Sequence, residues 1–409
     1  TEGVSLYQDE LSGTRLPLPY WIMGLSQRHG PSLMAGRYLA LGIGLLVVLL
    51  TAWVAHRIGG QWAGALAALF LATNGVVIAY FTTATYVSIA NLVLLLVVAG
   101  LVTERWWLAM LAASLLFITR TTLWPVLPFA FVYAVWRGAS PLYGLLALSV
   151  PAAFFAADPQ HVKILAYVPW LREWVAPLGY ASVLPALGLT PEYGGTVWAG
   201  LLRWARMYEF WWLGLAVLIV CGKLSRKVWM IAGLALLLAL CQIAFLDYPK
   251  TWAAWWPVSA ALVAIVLAVG MAKLNPIVRL TLCGLLIFGP ITFNRHPSLN
   301  AEPLPLASTV TTLMLALPPN ERVFLVGLSL PVSMAGARFY LRQADVPTTF
   351  SAVADPRLIQ RNGLWDMGYA ELWLYQSRYV VLMPGQIKGL RRARPAQVAL
   401  LEKTIREDF

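Results

Sequence analysis

The sequence predicts a polytopic α-helical membrane bundle followed by a small soluble α/β domain. Three observations carry that expectation. The 409 residues are 60% hydrophobic and 12% charged with a mean hydropathy of +0.70, far more apolar than a water-soluble domain of this length. Ten apolar runs follow one another between residues 34 and 293, although several are shorter than the roughly 20 residues that a straight span needs. From about residue 296 the composition changes. Pro297, Pro303, Pro305, Pro318 and Pro319 punctuate a linker, and the β-branched runs RVFLVGL and RYVVLMP, each closed by Gly or Pro, read as buried strands.

In chain order, the apolar runs are 34–55, 61–79, 86–102, 106–118, 122–136, 141–156, 209–222, 228–246, 251–271 and 277–293. The pair 106–118 and 122–136 is short and joined by a turn bearing Arg120, so this hairpin is expected to stop short of a full bilayer crossing. Alternate connections differ in charge. One set holds Arg57, Arg105, Arg137, Lys223, Arg226, Lys227, Lys273 and Arg279, whereas the opposite short turns hold only Arg120 and Lys250. The positive-inside bias makes the first set cytoplasmic. Residues 1–33, the loop 157–208 and everything after 294 then lie outside a plasma (inner) membrane. The domain boundary falls between 295 and 296, with 1–295 as the membrane domain and 296–409 as an extracytoplasmic α/β domain, in which 333–344 and 395–408 have helical spacing. The 157–208 loop is rich in Trp and Tyr, which suits segments lying in the interface or a packed cap. The chain opens on Thr1 without a signal peptide, which leaves room for a further membrane helix ahead of it.

Composition also excludes some classes. The net charge of +12 comes from 18 basic and 9 acidic residues in 1–295 and from 12 basic and 9 acidic residues beyond. The basic residues are dispersed, mostly at the ends of apolar runs, so anionic membrane lipids rather than nucleic acid are their expected partners. Cys221, Cys241 and Cys283 lie inside apolar segments without CxxC spacing, and His29, His56, His161 and His296 are scattered. No disulfide framework or metal knuckle follows from them. The C-terminal domain has no GxGxxG, GxxxxGKS or GxSxG motif and no active site of its own.

The longest polar interval before the first span is TEGVSLYQDELSGTRLPLPYWIMGLSQRHGPSLMAGR, residues 1–37. On a helical wheel Val4, Tyr7 and Leu11 share one face, and Glu2 and Asp9 lie together on the opposite one. That pattern fits an interfacial helix with a solvated acidic face. A sharper reading makes Glu2 or Asp9 a carboxylate base at the membrane surface, with Arg15 available for a phosphate. Pro17 and Pro19 interrupt this helix, and Tyr20 and Trp21 follow as an interfacial anchor.

The order of these pieces resembles the polyprenyl-phosphate-dependent membrane glycosyltransferases of the GT-C superfamily, which includes protein O-mannosyltransferases and the aminoarabinose transferase of lipid A. Glu2 and Tyr7 stand where that superfamily has an acidic residue, often an Asp-Glu pair, and a following Tyr. LPLPYW matches its Pro-rich aromatic segment, and Gly30, Ser32 and Arg37 match a Gly-x-Ser turn with a nearby Arg. LLFITRTTLWPVLP, with Arg120 in the basic position, is similar to a helix ending in a Leu-Thr-Lys-like sequence. DYPKTWAAWWP, with Tyr248 and Lys250, is similar to a late Arg-Tyr-x-x-Pro segment. Two departures stand out: Thr1 replaces the leading carboxylate, and TYVSIANL offers Ser88 and Asn91 where a second acidic residue is expected.

The resemblance implies a transferase that moves a sugar from a polyprenyl phosphate to a hydroxyl on a lipid, glycan or protein acceptor, on the outer face and with inversion. Glu2 or Asp9 would accept the acceptor's proton, and Arg15, Arg120 and Lys250 would hold the departing phosphate. Tyr7, Tyr20, Arg37, Ser88 and Tyr248 would touch substrate. No metal ligand is assigned, and a divalent metal is admitted only as an optional cofactor. The rival readings are a transporter or flippase for a lipid-linked sugar, and a noncatalytic protein on the same scaffold. The scarcity of charge in the membrane runs and of paired Gly/Pro-broken helices weighs against transport.

Overall fold

A computed structural model describes residues 16–30, 32–82, 86–157, 161–162, 165, 209–220, 225–245 and 251–293, together with short pieces between 312 and 407. The chain forms two compact units. One comprises Thr1–Ala181 and Pro191–Leu299, the other Ser182–Thr190 and Asn300–Phe409.

The first unit is helical. Its elements are α1 (Pro17–Leu25), α2 (Leu33–Gly59), α3 (Gln61–Thr73), α4 (Gly75–Phe81), α5 (Val87–Thr103), α6 (Trp106–Phe117), α7 (Val126–Trp136), α8 (Tyr143–Ala157), α9 (Glu209–Val220), α10 (Arg226–Phe245), α11 (Thr251–Met271) and α12 (Pro276–Phe293). The centre of the bundle is α11. Every side chain described in it, from Val258 to Met271, is buried, and it packs on α2, α3, α5 and α10. Around this core the outward faces are as apolar as the inward ones. On α2, Tyr38, Leu41, Leu45, Leu46, Leu49 and Trp53 are exposed, and on α8 so are Leu145 and Leu148. A helix apolar on all sides with one side uncovered suits hydrocarbon as its solvent rather than water. Among the described residues one helix, Met34–Gly59, is by itself long and apolar enough to cross a membrane. The hairpin of α6 and α7 is short, as expected. Its arms have 12 and 11 residues, a rise of about 16–18 Å each against a hydrocarbon core of about 30 Å.

One helical boundary differs from the sequence expectation. The run 61–79 is not one helix but two, divided at Asn74. This residue is extended (φ −81°, ψ 110°), and its Oδ1 accepts from the backbone N–H of Val77 at 3.1 Å. It therefore closes α3 and caps α4, the use of Asn that competes with helix continuation. Pro17 and Pro19 start a helix of their own, α1, and the helix that they were expected to interrupt lies outside the described residues. The first turn of a helix has no acceptors for its own N–H groups, so two prolines there lose nothing. The donor between them, the N–H of Leu18, bonds outside the helix to the carbonyl of Ile118 at 3.1 Å.

The cationic connections gather at one end of this unit. The Lys227 Nζ donates to the carbonyl of Val102 at 2.8 Å, Arg137 pairs with Glu104 at 2.6 Å, and Arg279 lies over the Trp62 ring, 4.8 Å from its centroid. Arg120 sits at the opposite end, between α6 and α7.

In the second unit the described strands are β1 (Val323–Val326), β2 (Thr348–Thr349) and β3 (Tyr379–Leu382). They form a parallel sheet in the order β2-β1-β3, with Val323 opposite Tyr379 and Val326 opposite Leu382. Val323–Val326 within RVFLVGL and Tyr379–Leu382 within RYVVLMP are strands, as their β-branched composition predicts, and the two pair with each other. Parallel pairing is the arrangement an α/β domain uses. At one end of the pair Arg378 bonds Glu321 at 2.7 Å, which marks the register. Residues 399, 403, 406 and 407 are helical, and 333–344 lies outside the described residues.

Candidate active site at the Arg120 turn

The connection from α6 to α7 is built to hold one shape. Helix α6 ends as the N–H groups of Thr119 and Arg120 both reach back to the carbonyl of Leu116. Arg120 is extended (φ −165°, ψ 138°), and a 3₁₀ turn, Thr121–Leu123, follows at once. Two contacts then close the loop. The indole Nε1 of Trp124 donates to the carbonyl of Phe117 at 2.8 Å, and the two rings stack 4.4 Å apart and nearly parallel, at 4°. Phe154 and Phe155 of α8 meet the Phe117 edge, and His161 stacks on Phe154 at 4.1 Å. Leu16, Ile118 and Phe154 form a small apolar cluster beneath. The start of α1, the end of α6 and the end of α8 are fastened together around the residue that carries the guanidinium.

That guanidinium lies over the ring of Tyr86, with Cζ 4.1 Å from the centroid. Such an arrangement attracts by about 0.5–2 kcal/mol, more as the pair is withdrawn from water. Tyr86 precedes α5, and Tyr20 and Tyr80 lie within electrostatic range of it. Ser88 and Asn91, in the first turns of α5, are fully buried, and Thr122 is nearly so. Asn91 Nδ2 donates to the carbonyl of Val87 at 2.9 Å. Its Oδ1, the Ser88 Oγ and the Thr122 Oγ1 have no hydrogen-bond partner among the described residues. A buried oxygen left so costs about 1–3 kcal/mol, which makes these positions natural places for water or a polar ligand. On the flank of α7, beginning five residues past Arg120, an apolar groove of about 470 Å³ runs from Pro125 past Phe129 and Val132 to Trp136, with Leu237 as its far wall.

Of the residues singled out in the sequence, Arg120 lies over the Tyr86 ring, and Tyr20 is exposed on α1. Ser88 is enclosed two residues into α5. Arg37 is half-buried in α2, five residues past Ser32, whose hydroxyl caps that helix through the N–H of Ala35. Glu2, Tyr7, Asp9, Arg15, Tyr248 and Lys250 lie outside the described residues. Among the described residues no three His, Cys, Asp or Glu side chains form a group able to hold a metal ion. Sequence reasoning missed Tyr86, which stands inside TYVSIANL. The resemblance points to a carboxylate in that segment, and an aromatic face is another way to hold a cation.

No family profile and no curated protein matches this sequence. Among solved structures, the crystal structure of ArnT from Cupriavidus metallidurans bound to undecaprenyl phosphate aligns over 93% of this chain and 85% of its own, with a TM-score of 0.53 at 16% identity. The chain shares the fold of that protein. ArnT in its apo state gives the same result, with a TM-score of 0.51, coverage of 93% and 84%, and 17% identity. The GT-C resemblance read from short motifs along residues 1–293 is thus matched by the course of the backbone. At this identity the likeness is one of fold, and the roles of individual side chains rest on the chain's own geometry.

Proposed function

We propose that the chain is an integral-membrane glycosyltransferase that moves a sugar from a polyprenyl-phosphate donor to a hydroxyl acceptor at the extracytoplasmic face, with inversion at the anomeric carbon. The observation that carries this reading is Arg120, a ring-held cation at the end of the bundle opposite the cationic connections, in a fold shared with a protein crystallised with undecaprenyl phosphate. Positive charge away from the cytoplasmic side runs against the usual bias and calls for a specific anion. The apolar groove past Pro125 suits an isoprenoid chain whose phosphate stays near that charge.

In this mechanism the acceptor oxygen attacks the anomeric carbon as the bond from that carbon to the phosphate oxygen breaks. The acceptor's proton passes to the carboxylate of Glu2 or Asp9, a step worth about 10²–10⁴ in rate. The leaving group departs as polyprenyl phosphate, and Arg120, with Arg15 and Lys250, takes up the charge that grows on its oxygens. Tyr7, Tyr20, Arg37, Ser88 and Tyr248 line the substrate. Residues 1–295 form the transferase domain, and 296–409 an extracytoplasmic domain.

The test is transfer of radiolabelled sugar from a polyprenyl-phosphate donor in proteoliposomes, comparing wild type with Glu2→Gln, Asp9→Asn and Arg120→Gln. Loss of at least about 10²-fold in one carboxylate variant is expected. Full transfer by both carboxylate variants overturns the assignment of the base. A wild-type protein that binds donor yet transfers no sugar to any hydroxyl acceptor is a transporter or a noncatalytic protein on the same scaffold.

A further inference from the structure

We infer that Tyr86 is a positioning residue for phosphate recognition, its ring face holding the Arg120 guanidinium in place without neutralising it. This rests on the reading that Arg120 meets the donor's phosphate.

The argument begins with what an arginine in a low-dielectric site needs. A long cationic side chain must be steered, because its rotamer freedom is lost when an anion is bound in one geometry. An aromatic face attracts the cation through its quadrupole, and the guanidinium remains cationic. Tyr86 supplies such a face, 4.1 Å from Cζ of Arg120.

Both partners stand on rigid ground. Tyr86 is joined directly to α5, in which 14 of 17 residues are buried, and Arg120 stands in a turn closed by the Trp124–Phe117 hydrogen bond and stack. A ring fixed by a buried helix and a cation fixed by a pinned turn hold their geometry before a ligand arrives. Preorganisation of this kind favours charge that develops at one place.

The inference is tested by binding of a polyprenyl phosphate, and of the uncharged polyprenol of the same length, to the full chain in detergent. In Tyr86→Leu the ring face is lost, and polyprenyl-phosphate affinity is expected to fall about 2- to 30-fold, with polyprenol binding unchanged. Tyr86→Phe, which keeps the ring, is expected to bind within about 2-fold of wild type, since only the hydroxyl is gone. The loss caused by Tyr86→Leu should vanish when Arg120→Gln is already present. Stepwise fluorination of a phenylalanine placed at 86 weakens the quadrupole with little change of shape. Phosphate affinity should fall with each added fluorine even if the leucine variant does not fold. Equal losses for phosphate and polyprenol, or no response to fluorination, would show Tyr86 to be packing alone and overturn the inference. Wild-type phosphate affinity in Arg120→Gln overturns the underlying reading of Arg120 instead, so the two failures are distinguishable.

Discussion

Gly100 is the point where the distance between α5 and α6 is set. A Cβ added there would lie 2.5 Å from the backbone N of Ala109, and 2.8 Å from both its Cα and its Cβ. The first two of these atoms are backbone, and the two helices are joined by only Glu104 and Arg105, so neither side can yield as a flexible side chain would. Gly100→Ala therefore combines two opposed effects. Replacing a mid-helix glycine stabilises by about 1 kcal/mol, and forced overpacking of a tight contact costs about 1–3 kcal/mol. The contact falls below any real Cβ separation, so the upper part of that range applies and the net expectation is a loss of about 1–2 kcal/mol. Gly233 is the control, because a Cβ there meets nothing within 4 Å, and Gly233→Ala should stabilise by up to about 1 kcal/mol. The assay is thermal unfolding of the purified protein in one detergent, followed by circular dichroism. A Gly100→Ala protein that melts at or above the Gly233→Ala midpoint would refute the reasoning. The wedge should also be felt at a distance. Tyr86 lies 14 residues before Gly100, about 21 Å along the helix axis, and splaying α5 from α6 draws its ring away from Arg120.

Two further substitutions probe the local devices described above. Asn74→Ala removes the side-chain acceptor at the start of α4 and should cost about 0.5–2 kcal/mol in the same melt; an unchanged midpoint would mean the division of the helices does not depend on that cap. Trp124→Phe keeps a ring against Phe117 but leaves the Phe117 carbonyl without the indole donor, so a loss of about 1–2 kcal/mol is expected, together with weaker polyprenyl-phosphate binding if the turn aims Arg120. Equal binding by wild type and Trp124→Phe would separate the turn's stability from its role in recognition.

The bundle was legible in the sequence because a hydrocarbon solvent imposes a coarse code. Runs such as 34–55 and 228–246 declare themselves by length and apolarity alone, and the short hairpin around Arg120 could be read from its brevity. What escaped was decided by single polar groups. Asn74 reads as one polar residue in an apolar run, and only its bond to the Val77 N–H reveals a helix end. Pro17 and Pro19 are breakers in a helix interior and harmless in a first turn, and pattern alone does not say which turn they occupy. In the site, Arg120 stood out as a cation on the side where cations are scarce. Tyr86 did not, because an aromatic residue at a membrane helix end is ordinary until a guanidinium is found over its face.

The hydrogen bond from Leu18 to Ile118 also works as a leash. It fixes Leu16 and the start of α1 beside the turn that carries Arg120, so every residue before it is tied to that turn by a known length of chain. Asp9 is seven peptide units from Leu16 and cannot stray more than about 25 Å from it; Glu2, at fourteen units, has a radius of about 50 Å. Chain length alone thus keeps Asp9 within a shorter reach of that turn than Glu2, the acid to which the resemblance points. A short insertion between Asp9 and Leu16 lengthens both leashes, but in proportion it lengthens that of Asp9 more.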